Sequence, residues 1–152
     1  MVVALTAYSL VIGMNTALET LVSQAYGRQN LRDCGLYLHR SILMVTMLLI
    51  PLSFALPYTS PALQRVGIDQ AAADLAARYM MTFMPGLFLN SIADALDIFL
   101  LGMGKTYIIL WMQLAVIPFH VLFCYLFIHV LDYGVIGAAN AHNMTAILTF
   151  LI

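Results

Sequence analysis

Three carboxylates stand inside long apolar stretches of this sequence: Glu19, Asp94 and Asp97. Lipid offers a carboxylate no partner, so each must face protein or a water-filled cavity, which makes each a candidate functional group. Glu19 has Asn15 and Ser23 four residues to either side and Thr16 three before it. On a helix these share a face, and the spacing predicts amide and hydroxyl donors within reach of the carboxyl. Asn90, Asp94 and Asp97 follow at offsets of zero, four and seven, again on one face. Two carboxylates one turn apart repel when both are ionised. A pair of that kind can exchange a proton for a cation, which is what coupled antiport requires. The simpler role for Asp97 is solvation at a water boundary, because Gly104 follows seven residues later.

Other polar groups in apolar surroundings have a structural role open to them. Ser9, Gly13, Thr16, Thr20, Ser23 and Gly27 recur every three or four residues, a stripe that suits close helix packing. His120 shares a face with Gln113 and Cys124 and is read first as a hydrogen-bonded packing residue, with proton relay as its chemical alternative. Gly137 and Ala141 form a small-xxx-small pair, and Asn140 and Asn143 beside them need partners in a bundle interior or cavity. An intramembrane acid/base enzyme built on Asp94, Asp97 and His120 is a second function for this set. Both aspartates share one helix, however, and neither sits in a Gly-x-Gly-Asp or spaced multi-Asp motif, so the chain is read as not an enzyme. Cys34 and Cys124 read as free thiols without metal-ligand spacing, and no metal or organic cofactor is expected.

The elements that must position these groups follow from composition. The chain is 63% hydrophobic and 9% charged, with a mean hydropathy of +0.96, values that place it in the membrane. A net charge of -1 without a basic patch excludes a nucleic-acid partner. Met1 opens into an apolar run with no basic segment or cleavage site, so no signal peptide is read. Charges divide the chain into five apolar segments, residues 2–27, 41–64, 79–104, 106–131 and 133–152, each long enough for a helix and too long for a barrel strand. The fold class expected is an all-α integral membrane protein, a single domain over residues 1–152. The last segment stops without a cap or flanking charge, which reads as a chain cut within a helix. Arg28, Arg32, Arg40 and Lys105 fall on one side against Arg65 and Arg78 on the other, so the first set is expected to be cytoplasmic. Asp69 is a plausible helix N-cap, and Asp74 and Arg78 are spaced to pair. Pro51, Pro85 and Pro118 lie inside spans, as static kinks or as hinges.

Several blocks resemble the multidrug and toxic compound extrusion (MATE) transporters in their eukaryotic form. They are Ala17-Leu-Glu19-Thr-Leu with Gln24-Ala-Tyr-Gly27, Gly35-Leu-Tyr-Leu-His39-Arg40-Ser41, then Tyr79, Pro85 and Gly86, His120-Val-Leu, and Tyr133-Gly-Val-Ile-Gly137-Ala-Ala-x-Ala141. The likeness covers nearly the whole chain. It implies a twelve-helix, two-lobed antiporter exporting organic cations or xenobiotics in exchange for protons or sodium. By that comparison this chain supplies the second to fifth helices and most of the sixth, all from the N-terminal lobe. The first helix and the C-terminal lobe would be its missing partners, with a small organic cation and the lipid bilayer as the others. The implied location is the plasma membrane or a vacuolar or endosomal membrane. Coupling candidates are Glu19, Asp94 and Asp97; cavity or support candidates are Asn15, Thr16, Gln24, Asn90, His120 and Asn140. Asp94 and Asp97 match no family motif, Asn140 and His142 replace residues usually apolar or small, and Leu100-Leu-Gly-Met-Gly104 stands where a Leu-Gln-x-Gln stretch is common. A non-transporting truncated membrane protein is the remaining alternative.

Overall fold

The computed structural model describes residues 2–152, with side chains described at residue 9 and from residue 12 onward. Its elements in chain order are α1 (Val2–Gly27), α2 (Leu31–Ala55), a 3-10 turn (Leu56–Tyr58), α3 (Thr59–Arg65), α4 (Gln70–Gly102), α5 (Thr106–Tyr125), a π-helical turn (Leu126–Val130) and α6 (Gly134–Leu151). No strand occurs among the described residues, so the all-α class holds. Among the described residues three helical runs are long and apolar enough to cross a membrane: Leu31–Arg65, Gln70–Gly102 and Thr106–Val130. Both α1 and α6 pack on α4 in the same bundle.

Two helices begin well before the apolar segments do. Asn30 opens α2, its side-chain oxygen accepting from the Asp33 N–H at 3.3 Å while its amide donates to the Asp33 carboxylate at 2.7 Å. Asp69 caps α4 as expected, accepting from the Ala71 N–H at 3.1 Å. Each cap satisfies a donor that a helix start leaves free, so helix propagates through polar residues outside the apolar span. The expected Asp74–Arg78 pair does not form. Asp74 instead accepts from the Ser60 hydroxyl at 2.6 Å, because α3 folds back against α4 and brings that hydroxyl closer than the flexible arginine.

The ends of α1, α3 and α4 share one closure. At each, an N–H bonds five residues back while the preceding N–H bonds three back: Asn30 to Ala25 and Gln29 to Tyr26, Ile68 to Leu63 and Gly67 to Gln64, Lys105 to Leu100 and Gly104 to Leu101. This Schellman arrangement needs a left-handed residue before the last. Gly67 (φ 90°) and Gly104 (φ 74°) adopt it freely, whereas Gln29 does so at φ 57° with a Cβ in the way. Gln29→Gly is therefore expected to stabilise the protein by about 1 kcal/mol, read as a raised melting temperature of the full-length protein in detergent.

Helix α4 is the hub. Leu18, Val22 and Ala25 of α1, Cys34 of α2 and Ala95 of α4 are buried together, with Phe99 and Met103 packed on them. Val45 and Leu49 of α2 form a second cluster with Met14 of α1 and Met84, Leu87 and Phe88 of α4. These clusters join α1, α2 and the C-terminal half of α4 into one block. On the other side α6 lies against α4 through small buried residues, Gly86 and Ser91 on α4 and Ala139, Ala141 and Ala146 on α6. Small side chains let backbones approach, which is the main attraction between helices where lipid removes the hydrophobic drive. The outward faces are apolar, as with Met47, Phe54 and Trp111, the surface that lipid tails would solvate. Gly137 is buried as expected for a small-xxx-small pair, but its neighbour is the backbone of the π-helical turn at Phe127, not another span.

Candidate functional site

A cleft of about 360 Å³ opens between α1 and α4, lined by Ile12, Asn15, Thr16, Asp94, Asp97 and Ile98. Two independent polar stripes of the sequence thus face one space. From α4, Asp94 and Asp97 present carboxylates one turn apart. Asp94 accepts from the Asn90 amide at 3.1 Å on its own helix, and Asp97 accepts from Gln113 of α5, also at 3.1 Å. Across the cleft, Asn15 is buried and its side-chain oxygen has no hydrogen-bond partner among the described residues. A buried acceptor left empty costs free energy, and it is held at the wall of a cleft whose other wall carries two more oxygen acceptors. Such a set of oxygens suits a proton or a cation better than an anion. Asp97 also borders a second cavity of about 470 Å³ with Ile108 and Met112 of α5 and Thr149 and Phe150 of α6. It therefore stands between two spaces.

The support expected around Glu19 does not form. Thr16 donates to the Ile12 carbonyl at 3.0 Å, Thr20 to the Thr16 carbonyl at 3.1 Å and Ser23 to the Thr20 carbonyl at 3.0 Å. In a helix a short hydroxyl reaches the carbonyl of the preceding turn more readily than a side chain one turn away. The half-buried Glu19 makes no hydrogen bond or ion pair among the described residues. Its backbone carbonyl lies where α1 crosses α4 at Gly102, a turn beyond the cleft. Gln24 is exposed near the end of α1, its carbonyl taken by the Arg28 side chain, and it does not line the cleft. Asn140 is half-buried on α6 and makes no hydrogen bond among the described residues.

His120 has a different setting. Its Nδ1 lies 2.8 Å from the Thr145 hydroxyl of α6, and its Nε2 lies 3.6 Å from the Cys124 sulfur. Thr145 already donates to the Ala141 carbonyl at 2.9 Å, so its oxygen must accept, and the histidine carries its proton on Nδ1. The ring ties α5 to α6 and contacts neither aspartate, which deprives the acid/base enzyme reading of its base. His120→Phe keeps the ring volume and removes that bond. It is expected to destabilise the protein by about 1–2 kcal/mol in thermal unfolding while leaving the pH dependence of cation binding unchanged.

Sequence reasoning placed Gln113 with His120 and did not foresee its bond to Asp97, sixteen residues back. An isolated amide in the apolar α5 was the available signal. It left Asn143 as one of several amides needing partners; the structure gives it two backbone groups of α4, at Thr82 and Gly86. Among the described residues no group of three His, Cys, Asp or Glu side chains could hold a metal ion.

Comparison with known proteins agrees with this architecture. The MatE family model matches residues 1–126. Protein DETOXIFICATION 9 of Arabidopsis thaliana is 31% identical over 134 residues, covering 88% of this chain and 28% of that protein. Protein DETOXIFICATION 33 of the same plant is 33% identical over 140 residues, or 90% and 28% of the two chains. For Protein DETOXIFICATION 35 the figures are 31% over 147 residues, 95% and 30%. The chain spans less than a third of the length of these relatives. As a bundle of long apolar helices that matches the family model over most of its residues, the chain belongs to the MatE family of membrane transporters.

Proposed function

We propose that this chain forms part of the N-terminal lobe of a secondary active antiporter that exports organic cations or xenobiotics in exchange for protons, with sodium as the alternative coupling ion. Its place would be the second to fifth helices and most of the sixth in a twelve-helix, two-lobed protein of the plasma membrane or a vacuolar or endosomal membrane. The observation that carries this reading is the α1–α4 cleft, in which Asp94 and Asp97 face the unpartnered Asn15 oxygen. In a medium of low dielectric a cation bound between two carboxylates is held far more strongly than in water. Protonation removes the charge that holds it, so proton and cation compete for one site. Rocking of the lobes then exposes the site to the other side of the membrane. Asp94 and Asp97 carry the exchange in this proposal, and Glu19 adds negative charge one turn along α1.

The test is efflux of a quaternary ammonium probe from proteoliposomes containing the full-length protein under an imposed gradient. Efflux driven by a proton gradient supports the proposal, and efflux driven only by sodium transfers it to the other ion. Probe movement indifferent to both gradients overturns it.

A further inference from the structure

We propose that Asn143 is a positioning residue for transport, a pin seated in the break that Pro85 makes in α4. About this pin the N-terminal arm of α4 turns, with α3, against the block of α1, α2 and the C-terminal half of α4 that holds Asp94 and Asp97. The proposal rests on the transporter reading above. Pro85 has no N–H, so the Met81 carbonyl loses its helical donor, and the proline ring crowds the preceding turn. Beside this break the Asn143 amide arrives from α6. It donates to the Thr82 carbonyl at 2.7 Å and accepts from the Gly86 N–H at 2.9 Å. Those two backbone groups are the donor and acceptor that a regular helix joins directly, four residues apart. A primary amide carries its donor and its acceptor on two separate atoms and can serve both backbone groups at once, which an ammonium, having no acceptor, cannot match.

The seat is shaped for it. A Cβ on Gly86 would meet the Asn143 side-chain oxygen and lie 2.9 Å from the Asn143 Cα and 3.0 Å from the His142 Cδ2. Glycine is thus what admits the amide. The neighbouring His142 stacks on Phe83 of the same turn, with ring centroids 4.3 Å apart and planes 20° from parallel. Thr82 donates back to the Arg78 carbonyl at 2.9 Å, a further departure from a plain helix at this turn. Beyond Pro85 the C-terminal half of α4 is packed with α1 and α2 through Leu87, Phe88 and Ala95 and shares the cavity at Asp97 with Thr149 and Phe150 of α6, whereas the arm before it is held by the Ser60 hydroxyl of α3 at Asp74. Withdrawal of the amide leaves Gly86 and Thr82 to each other and straightens the arm. Its lever is about 20 Å from Pro85 to Ala72, so a change of about 20° in bend moves Ala72 by about 7 Å.

The experiment uses full-length protein with Cys34 and Cys124 replaced by alanine and spin labels at the exposed positions Ala72 and Met47. Asn143→Ala is expected to shift the label distance by several ångströms and to lower turnover about tenfold. In a Pro85→Ala background, where the backbone regains an N–H for the Met81 carbonyl and no ring crowds the turn that Asn143 enters, Asn143→Ala should change neither quantity. Gly86→Ala, which blocks the seat and keeps Asn143, should reproduce the distance shift and serves if Asn143→Ala does not fold. An unchanged distance in these variants overturns the proposal, as does an equal effect with and without Pro85. A shifted distance with unchanged turnover overturns the role in transport alone. Failure of the unsubstituted protein to transport in the same vesicles overturns the transporter reading instead.

Discussion

Replacing Asp94 and Asp97 together by asparagine is expected to abolish the pH dependence of cation binding by the full-length protein and to weaken that binding by about 10- to 100-fold near neutral pH. The sign follows from charge. In the unsubstituted protein the carboxylates hold the cation when ionised, so affinity falls as pH falls and protons take their place. Linkage requires the converse, that bound cation lowers proton affinity by the same factor. With neither carboxylate present, the affinity becomes flat across pH. Asparagine retains the side-chain shape, so the bonds from Asn90 and Gln113 still find an acceptor and the cleft keeps its walls. Equilibrium binding of a quaternary ammonium probe between about pH 3 and about pH 8 measures this, a range that spans the usual carboxylate and histidine protonations. Glu19→Gln is expected to give a smaller loss, because its carboxyl does not line the cleft with Asp94 and Asp97. A double variant that remains pH-dependent, beside a flat Glu19→Gln variant, would move the coupling role to Glu19.

The second large effect is on stability, at Gly137. A Cβ there would lie 2.5 Å from the Phe127 carbonyl oxygen and 3.0 Å from its carbon, both backbone atoms of the π-helical turn. Neither can rotate away, so α6 or the turn must shift. Gly137→Ala is therefore expected to destabilise the protein by about 2–3 kcal/mol, the range for overpacking at a tight contact. Gly35 is its control. It lies inside α2 with no atom within 4 Å of the same added Cβ. Gly35→Ala should stabilise by about 0.5–1 kcal/mol through backbone entropy alone. Thermal unfolding of both variants in one detergent reads the contrast. Equal effects of the two substitutions would remove the α5–α6 junction as a stability determinant.

The Gly137 contact also shows how far local pattern reaches. A glycine and an alanine four residues apart announce a close approach without naming what approaches. The partner proved to be a turn contiguous with the preceding helix, because the chain reverses tightly through Asp132, at φ 54°, and Gly134. The stripe on α1 shows the opposite failure. Thr16, Thr20 and Ser23 were spaced to serve Glu19, yet each hydroxyl turned to its own backbone, a bond available to any helix and invisible in residue spacing. Asp74 likewise left its local partner for Ser60, fourteen positions back, once α3 had folded over.

What the sequence by itself determined is what depends on neighbours within a turn or two, and on composition. The apolar runs, the cap at Asp69, the missing N–H at Pro51, Pro85 and Pro118 inside helices, and the shared face of Asn90, Asp94 and Asp97 all depend on composition or on residues within a turn or two. Tertiary structure alone decided which faces meet. It set the buried Asn15 opposite the aspartates, brought Gln113 to Asp97, and carried Asn143 across 57 positions to the Gly86 amide. The reason is physical: helix periodicity sets the side-chain direction around one axis. The rotation of that axis against its neighbours is set by close packing of small residues and by buried polar groups seeking partners, sums over contacts far apart in the chain.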